Sequence, residues 1–165
     1  MTRRGIRVKH VRPTKFISFE YNELNTDTSD GKALKLAVFY RLLSVSITTF
    51  FDEFYSLLES LAVFPGDVIL AGDANIHYDV KMNVDTIKFC DILKAFNLSR
   101  LIHRPTHVKG HTLDVLIVNT DYISPLNISC TNYIISDHFP MGTDLCSDAP
   151  LVRRTTSPTH HWSDN

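Results

Sequence analysis

The segment "ILAGDANIHYD" (residues 69–79) decides how the rest of the chain is interpreted. It begins with an apolar run and then places Asp73 and Asn75 two residues apart, directly where that run ends. If the run is a strand, both side chains point to the same side, because side chains alternate between the two faces of a strand. A carboxylate and a carboxamide in that position can hold a metal ion, a water molecule or a phosphate. They can also simply close a turn, since Asp and Asn are common turn residues.

Other segments rich in β-forming residues predict a sheet around this strand. Two of them are joined by the turn-like "NTDTSDG" and therefore predict a hairpin in the N-terminal third of the chain. The predicted strands cover residues 15–24, 32–40, 67–73, 111–119 and 126–134, and a last strand follows the turn in "SDHFPMGTDL" (136–145).

Two segments have apolar residues at helical spacing. The first is "SITTFFDEFYSLLESLAVF" (46–64), for which Thr48 or Thr49 is the expected N-cap. The second is "VDTIKFCDILKAFNL" (84–98), with Asp85 as the expected cap. The order β-β-α-β-α-β-β-β predicts an α/β fold with a mixed sheet.

Composition suits one soluble globular domain, with 165 residues, 44% hydrophobic and 21% charged. The net charge of −1 excludes a protein that binds nucleic acid through its overall charge. Residues 1–15 are basic and predict a flexible arm, with phosphate binding as the alternative. Residues 16–146 are expected to form the domain, and residues 147–165, rich in Pro, Ser, Thr and His, a disordered tail.

Targeting signals and cysteine usage bear on the compartment. No apolar run is long enough to span a membrane, and no secretory segment follows Met1. The three cysteines, Cys90, Cys130 and Cys146, are widely spaced and contain no CxxC pair. These features predict a reduced intracellular protein, cytoplasmic or nuclear, with no membrane partner and no small-molecule cofactor.

Polar residues also interrupt two later apolar segments. Asp114 lies among aliphatic residues in "HTLDVLIV", and a charged residue there is costly unless it is paired. A histidine is a natural partner, because the carboxylate would orient its ring and stabilise the imidazolium; His138, beside Asp137, is the best candidate. Together with Asp73 and Asn75, these residues supply the groups needed for metal-assisted phosphodiester hydrolysis. Each of them alone could instead be a cap, a turn residue or an ion-pair partner.

A competing pattern occurs in "HRPTHVKGH", where His103, His107 and His111 are four residues apart. On a helix, the three rings would share one face, as zinc ligands do. Pro105 and Gly110 disfavour a helix there, so a polar loop is the expected structure.

The motifs, taken in order, resemble the endonuclease/exonuclease/phosphatase superfamily, and most of all the endonuclease of LINE-type (non-LTR) retrotransposons. The segments that carry the resemblance cover about residues 16 to 145: "SFEYNEL", "LAVFYR", "FFDEFYSLLESLA", "VILAGDANIHYD", "FCDILKAFNLSRLI", "PTHVKGHTLDVLIV" and "ISDHFPM". The resemblance implies part of a four-layer α/β sandwich, a mixed sheet with helices on its outer face, acting on DNA with Mg²⁺ or Mn²⁺.

The resemblance also implies roles for the residues of the first half of the site. Tyr40, in "VFYR", matches a tyrosine that contacts the scissile phosphate. Asp73 matches the aspartate that orients or deprotonates the attacking water, and Asn75 the asparagine that holds that water and a phosphate oxygen.

The second half of the site follows in the same way. Asp114 matches the aspartate that orients the catalytic histidine. Asp137 matches an acidic residue near the metal, and His138 the histidine that binds the phosphate and stabilises the transition state.

The chain departs from the family pattern at three places. Ala74 stands where the family has Phe, and Leu42 and Leu43 replace two prolines. The family's metal-binding Glu would precede residue 1, so we expect the N-terminal part of the domain to be missing. The sequence therefore predicts a truncated enzyme with impaired activity and an exposed sheet face that favours self-association. The alternatives are a catalytically dead fragment that acts as a binding module and a phosphatase of the same superfamily.

Overall fold

The computed structural model describes residues 8–10, 15–28, 31–119, 127–130 and 136–144. The strands are β1 (Val8–His10), β2 (Phe19–Asp27), β3 (Ala33–Arg41), β4 (Asp67–Asp73), β5 (Leu98–Arg100), β6 (Asp114–Asn119), β7 (Asn127–Cys130) and β8 (Met141–Asp144). The helices are α1 (Ile47–Ala62) and α2 (Val84–Ala95). Within the described residues, neither helix is long and apolar enough to cross a membrane.

Six strands form one mixed sheet in the order β1-β2-β3-β4-β6-β5. Strands β3 and β4 are parallel because α1 crosses over between them, whereas the other neighbouring strands are antiparallel. Strands β7 and β8 form a separate two-stranded sheet. The predicted α/β fold with a mixed sheet is confirmed.

Strand boundaries differ from the predicted ones in a few places. The short strands β1 and β5 were not predicted, and β1 lies within the segment 1–15 that was expected to be a flexible arm. Residues 1–7, 11–14 and 145–165, which include the predicted tail, lie outside the described residues. The first long strand begins at Phe19 rather than residue 15, because the backbone N–H groups of Ile17 and Ser18 donate to the Glu53 carboxylate of α1 instead of to a neighbouring strand.

The N-cap of α1 is Ser46, so the prediction of Thr48 or Thr49 was wrong. The Ser46 hydroxyl accepts a hydrogen bond from the Thr49 backbone N–H at 3.1 Å. Thr49 thus occupies the third helical position, where the backbone donor needs a capping acceptor.

The N-cap of α2 is Asn83, and the prediction of Asp85 was wrong in the same way. The Asn83 side-chain oxygen accepts from the backbone N–H groups of Asp85 at 2.8 Å and Thr86 at 3.3 Å. Asp85 lies in the first turn, where a negative charge is favoured by the helix dipole.

Both helices pack on one face of the sheet through an aromatic core. The Phe54 ring of α1 lies 5.3 Å from the ring of Phe39 on β3 and 5.1 Å from that of Phe89 on α2, between ring centroids. Leu70 of β4 and Val115 of β6 face the same core and are almost fully buried. The helices therefore cover the outer face of the sheet, as the resemblance implied.

Side chains of the opposite face alternate with these core residues. Tyr40 pairs in register with Asp73 across β3 and β4, and Asp73 pairs with Asp114 across β4 and β6. Register partners on adjacent strands point to the same side, so these three polar side chains share the face that the helices leave open.

Candidate active site

The centre of the candidate site is formed where β4 ends and β6 begins. Asp73 is the last residue of β4, Asp114 is the first residue of β6, and the two are directly paired. Their side chains are only 11% and 16% exposed. Two carboxylates this close and this poorly solvated repel each other unless a cation or a donor lies between them.

His138 is that donor. Its Nδ1 lies 2.9 Å from Asp114 Oδ2, and its Nε2 lies 3.7 Å from Asp73 Oδ2. The contact predicted between Asp114 and His138 is therefore present. The ring is placed between the two carboxylates, with one nitrogen turned towards each.

The backbone around His138 is fixed by the loop that precedes β6. The Phe139 N–H donates to the Thr106 carbonyl at 2.8 Å, and the Val108 N–H donates to the Asp137 carbonyl at 2.9 Å. These bonds hold the Ser-Asp-His segment against the loop, which brings residues about thirty positions apart in the sequence into one site.

Thr106 also fixes the start of β6. Its hydroxyl oxygen accepts from the backbone N–H groups of Leu113 at 3.0 Å and Asp114 at 3.1 Å. The residue is fully buried, so these bonds are shielded from water. Sequence reasoning assigned it no role, although it lies in the quoted segment "PTHVKGHTLD".

Asn75 reaches the site by a different route from the predicted one. Strand β4 ends at Asp73, and Asn75 has a positive φ of 49°, so strand alternation does not place its side chain. Instead its backbone N–H donates to Asp73 Oδ1 at 2.7 Å, and its side-chain amide donates to the Arg41 carbonyl at 3.4 Å. A tight turn, rather than a continued strand, keeps Asn75 beside Asp73.

Arg41 supports this turn and was missed in the sequence. Its guanidinium donates from Nη1 to the carbonyls of Ala74 at 3.4 Å and Asn75 at 3.3 Å. Arg41 is buried and its charge lies 5.6 Å from the centre of the Phe50 ring, a cation–π arrangement. Nothing in the sequence around Arg41 indicates this contact, since it depends on β3 lying beside β4.

His107 forms a second imidazole–carboxylate pair at the edge of the site. The Lys109 backbone N–H donates to His107 Nδ1 at 3.2 Å, which leaves the proton of the neutral ring on Nε2. That nitrogen lies 3.4 Å from Asp137 Oδ2, and the ring meets His138 edge-on, 5.1 Å between centroids. The structure therefore places Asp137, the predicted metal ligand, opposite His107.

The three histidines of "HRPTHVKGH" do not share one site. The segment around them is a loop, as the sequence predicted, with a positive φ of 84° at Gly110. His103 is exposed, His107 faces Asp137, and His111 lies 3.1 Å from Asp79.

Tyr40 completes the face that carries the site. Its side chain is 48% exposed, next to Asp73 in register. An exposed phenol at this position can reach a bound molecule without displacing core residues.

The comparisons with known proteins identify the fold. No protein-family model and no curated protein sequence matches the chain. Among solved structures, the chain is similar to the endonuclease domain of TRAS1, a telomere-specific non-LTR retrotransposon, with a TM-score of 0.61 and 14% identity over 84% of this chain and 78% of that one. It is also similar to the human Nocturnin catalytic domain, with a TM-score of 0.50 and 16% identity over 84% of this chain and 61% of that one.

The fold is that of the endonuclease/exonuclease/phosphatase proteins. The chain spans less than two thirds of the Nocturnin domain and more than three quarters of the TRAS1 domain. The resemblance predicted from the motifs is thus confirmed for the fold. The chemistry is inferred from the geometry of the side chains at the site.

At the centre of the candidate site, the surroundings raise the pKa values of His138 and Asp73. Burial of the His138 ring opposes its protonation, but the hydrogen bond and charge of Asp114 outweigh burial and raise the pKa of His138. Burial raises the pKa of Asp73; the Asn75 N–H opposes the rise, and the charge of Asp114 adds to it. His138 is therefore held in its charged form to higher pH, and Asp73 is a stronger base than an exposed aspartate.

The residues at the site fit a hard divalent cation. One ligand atom each of Asp73, Asp114 and His138 lie within 4.8 Å of one another, and the same holds for His107, Asp137 and His138. Carboxylate oxygens are the ligands that Mg²⁺ prefers, and one or two of them usually suffice when substrate phosphate supplies the rest. Asp137 is open to an ion because its side chain is 69% exposed.

Proposed function

We propose that the chain is a divalent-metal-dependent phosphodiesterase that cleaves DNA as an endonuclease of the retrotransposon type. The observation that carries the proposal is the placement of His138 between the carboxylates of Asp73 and Asp114. This arrangement brings together a base (Asp73), a charged hydrogen-bond donor (His138) and the carboxylate that orients the donor (Asp114). The shared fold with the TRAS1 endonuclease domain supports the same reaction class.

In the proposed reaction, Asp73 activates the attacking water. Its Oδ1 accepts the Asn75 N–H, which fixes the carboxylate and leaves Oδ2 to take the proton. The water oxygen then bonds to phosphorus while the bond from phosphorus to the leaving deoxyribose oxygen breaks, and that oxygen takes a proton from solvent. The raised pKa of Asp73 favours this step, because a stronger base takes the proton more readily.

His138 acts on the phosphate as the imidazolium. The proton on Nδ1 is held by Asp114, so Nε2–H is available to a phosphate oxygen that gains negative charge in the transition state. Tyr40 and the Asn75 amide are proposed to position the same phosphate from the other side of the turn.

A magnesium or manganese ion, when bound, would neutralise charge on the phosphate and help the leaving oxygen. Asp137 would hold it, with Asp73 as the second carboxylate. One oxygen of Asp137 already faces His107, and one oxygen of Asp73 accepts the Asn75 N–H. Because so few carboxylate oxygens are free, we propose that metal binding and activity are weak. We also propose that the setting is cytoplasmic or nuclear.

The proposal is tested by nicking of supercoiled plasmid in millimolar Mg²⁺, where one cleavage per circle is detected. We expect slow nicking by the full chain, abolished by EDTA and lowered roughly 100-fold or more in Asp73→Asn, since general base catalysis contributes about 10²–10⁴-fold. Asp91→Asn, on the exposed side of α2, is the matched control and should nick like the parent chain. Equal nicking by Asp73→Asn would assign the activity to another source, and DNA binding without any nicking would assign the chain to the binding-module class.

The pH dependence of nicking should report the two raised pKa values. The active form needs Asp73 ionised and His138 protonated. The rate should therefore rise with pH through the pKa of Asp73 and fall through the pKa of His138. Asp114 raises both values, so Asp114→Asn is expected to move both limbs of the profile to lower pH. A profile measured for the variant that keeps its alkaline limb in place, or moves it upward, contradicts the assignment of His138 as the donor oriented by Asp114.

A further inference from the structure

We propose that His77, Asp79 and His111 form a binding site for a Zn²⁺ ion that is separate from the Asp73–Asp114–His138 site. One ligand atom of each of the three residues lies within 4.8 Å of the others. Imidazole nitrogen and carboxylate oxygen are common zinc ligands, and three of them with one water complete a tetrahedron.

The spacing of the closest pair already suits a shared ion. Two ligand atoms about 2.0–2.2 Å from a tetrahedral zinc lie roughly 3.3–3.6 Å apart. His111 Nδ1 and Asp79 Oδ2 are 3.1 Å apart, so they need to separate by only a few tenths of an ångström. The His77 ring lies 4.3 Å from the His111 ring, between centroids, and it is exposed and can turn towards the ion without disturbing the core.

The backbone that carries these side chains is held in place by hydrogen bonds. The Tyr78 N–H donates to the Thr112 carbonyl at 3.1 Å, which joins the segment after β4 to the segment before β6. The Thr86 hydroxyl donates to the His77 carbonyl at 3.0 Å and ties the first segment to α2. An ion would therefore meet ligands on two fixed segments, which lowers the cost of ordering them.

The carboxylate of Asp79 is also oriented. Its Oδ1 accepts the Thr112 N–H at 3.1 Å, and this leaves Oδ2 turned towards His111. Hydrogen bonds of this kind to a ligating carboxylate typically strengthen a metal site about 10- to 100-fold.

The position of the site suggests what the ion would do. The segment of His77 and Asp79 follows Asp73, and the segment of His111 leads into Asp114. Zinc at this point would link the two segments that enter the candidate active site, and so stabilise their arrangement.

The experiment uses the full chain in a His138→Ala background. Both other groups of potential ligands among the described residues contain His138, so this background removes them and leaves the proposed site intact. Isothermal titration with Zn²⁺ is expected to give one ion per chain. Adding His77→Ala or His111→Ala should weaken binding by more than about 100-fold, because loss of a ligand costs more than loss of a supporting bond.

Two controls separate this site from other histidines. His103→Ala changes an exposed residue of the same loop, and a His160→Ala, His161→Ala double substitution removes the adjacent pair near the C-terminus. Neither should change the affinity. Zinc should also raise the melting temperature of the His138→Ala chain and leave that of the His138→Ala, His77→Ala chain unchanged, because only a ligand bound to the folded state stabilises it.

Three results would overturn the proposal. One is absence of zinc binding by the His138→Ala chain. Another is unchanged affinity after His77→Ala or His111→Ala in a chain that still melts cooperatively. The third is loss of binding in either control variant, which would place the ion elsewhere.

Discussion

His138→Ala is expected to lower Mg²⁺-dependent plasmid nicking by roughly 100- to 10,000-fold, the range for loss of a positioned acid–base group. This corresponds to about 3–5.5 kcal/mol of transition-state stabilisation. The side chain has two roles in the proposed site: Nε2 is proposed to donate to the phosphate, and Nδ1 lies 2.9 Å from Asp114 Oδ2.

Loss of the ring also removes a positive charge from between the carboxylates of Asp73 and Asp114. Asp73 and Asp114 are paired across β4 and β6, and the ring of His138 lies between their carboxylates. Without the charge of His138, which lowers the pKa of Asp73, the charge of Asp114 raises that pKa with less opposition, so a larger share of Asp73 is protonated near neutral pH. The remaining activity should therefore rise with pH over a range where the parent chain is already past its optimum.

The matched control is His103→Ala, which removes an exposed imidazole from the loop before β6. It should nick at the rate of the parent chain. Both variants are compared at equal folded concentration, checked by thermal melting. A loss of less than tenfold in His138→Ala, with its fold intact, contradicts the role proposed for this residue.

The pairing of Asp114 with His138 could be predicted because the sequence poses a physical problem at one position. A charged residue inside the aliphatic segment "LDVLIV" needs a partner, and His138, beside Asp137, was the best candidate. The structure resolves it with the predicted histidine. The helices were predictable for a related reason, since the apolar spacing of α1 fits only one period.

The rest of the site depends on contacts between distant segments, which no local pattern contains. Arg41 reaches the carbonyls after β4 only because β3 and β4 are adjacent and parallel. Strand β4 ends at Asp73, two residues before Asn75, to which the alternation argument needs it to continue, and Asn75 has a positive φ that no residue of the described strands has. His103, His107 and His111 are equally spaced in sequence, but a turn at Gly110 directs His107 and His111 to different acidic partners.

The glycine before Asp73 shows how packing on one face serves the polar face. A Cβ atom at Gly72 would lie 2.3 Å from the Phe39 carbonyl oxygen and 2.5 Å from its ring. Glycine therefore lets β4 approach β3 closely on the helix side. The same approach brings Asp73 beside Tyr40 on the other side, so the site inherits its geometry from the aromatic core.

That core makes Phe54→Ala the substitution with the largest expected effect on stability. Phe54 is 0% exposed, and its ring lies 5.3 Å from Phe39, 5.3 Å from Phe50 and 5.1 Å from Phe89, between centroids. Phe54 of α1 therefore contacts both the sheet and α2. Truncation removes the buried ring and leaves a cavity that three rigid aromatic neighbours cannot fill without leaving their rotamers.

Phe54→Ala is expected to lower the free energy of unfolding by about 3–5 kcal/mol. Domains of this size are stable by roughly 5–15 kcal/mol, so the variant should unfold at a much lower urea concentration. Tyr55→Ala is the matched control, because Tyr55 is the next residue on α1, is 44% exposed and has its ring against Phe96, which is only partly buried. That variant should lose no more than about 1.5 kcal/mol, the upper range for an aromatic pair. If the two variants lose equal free energy, the contacts of Phe54 with the rings of Phe39, Phe50 and Phe89 do not hold α1 to the sheet. In that case the aromatic core does not fix the position of Asp73.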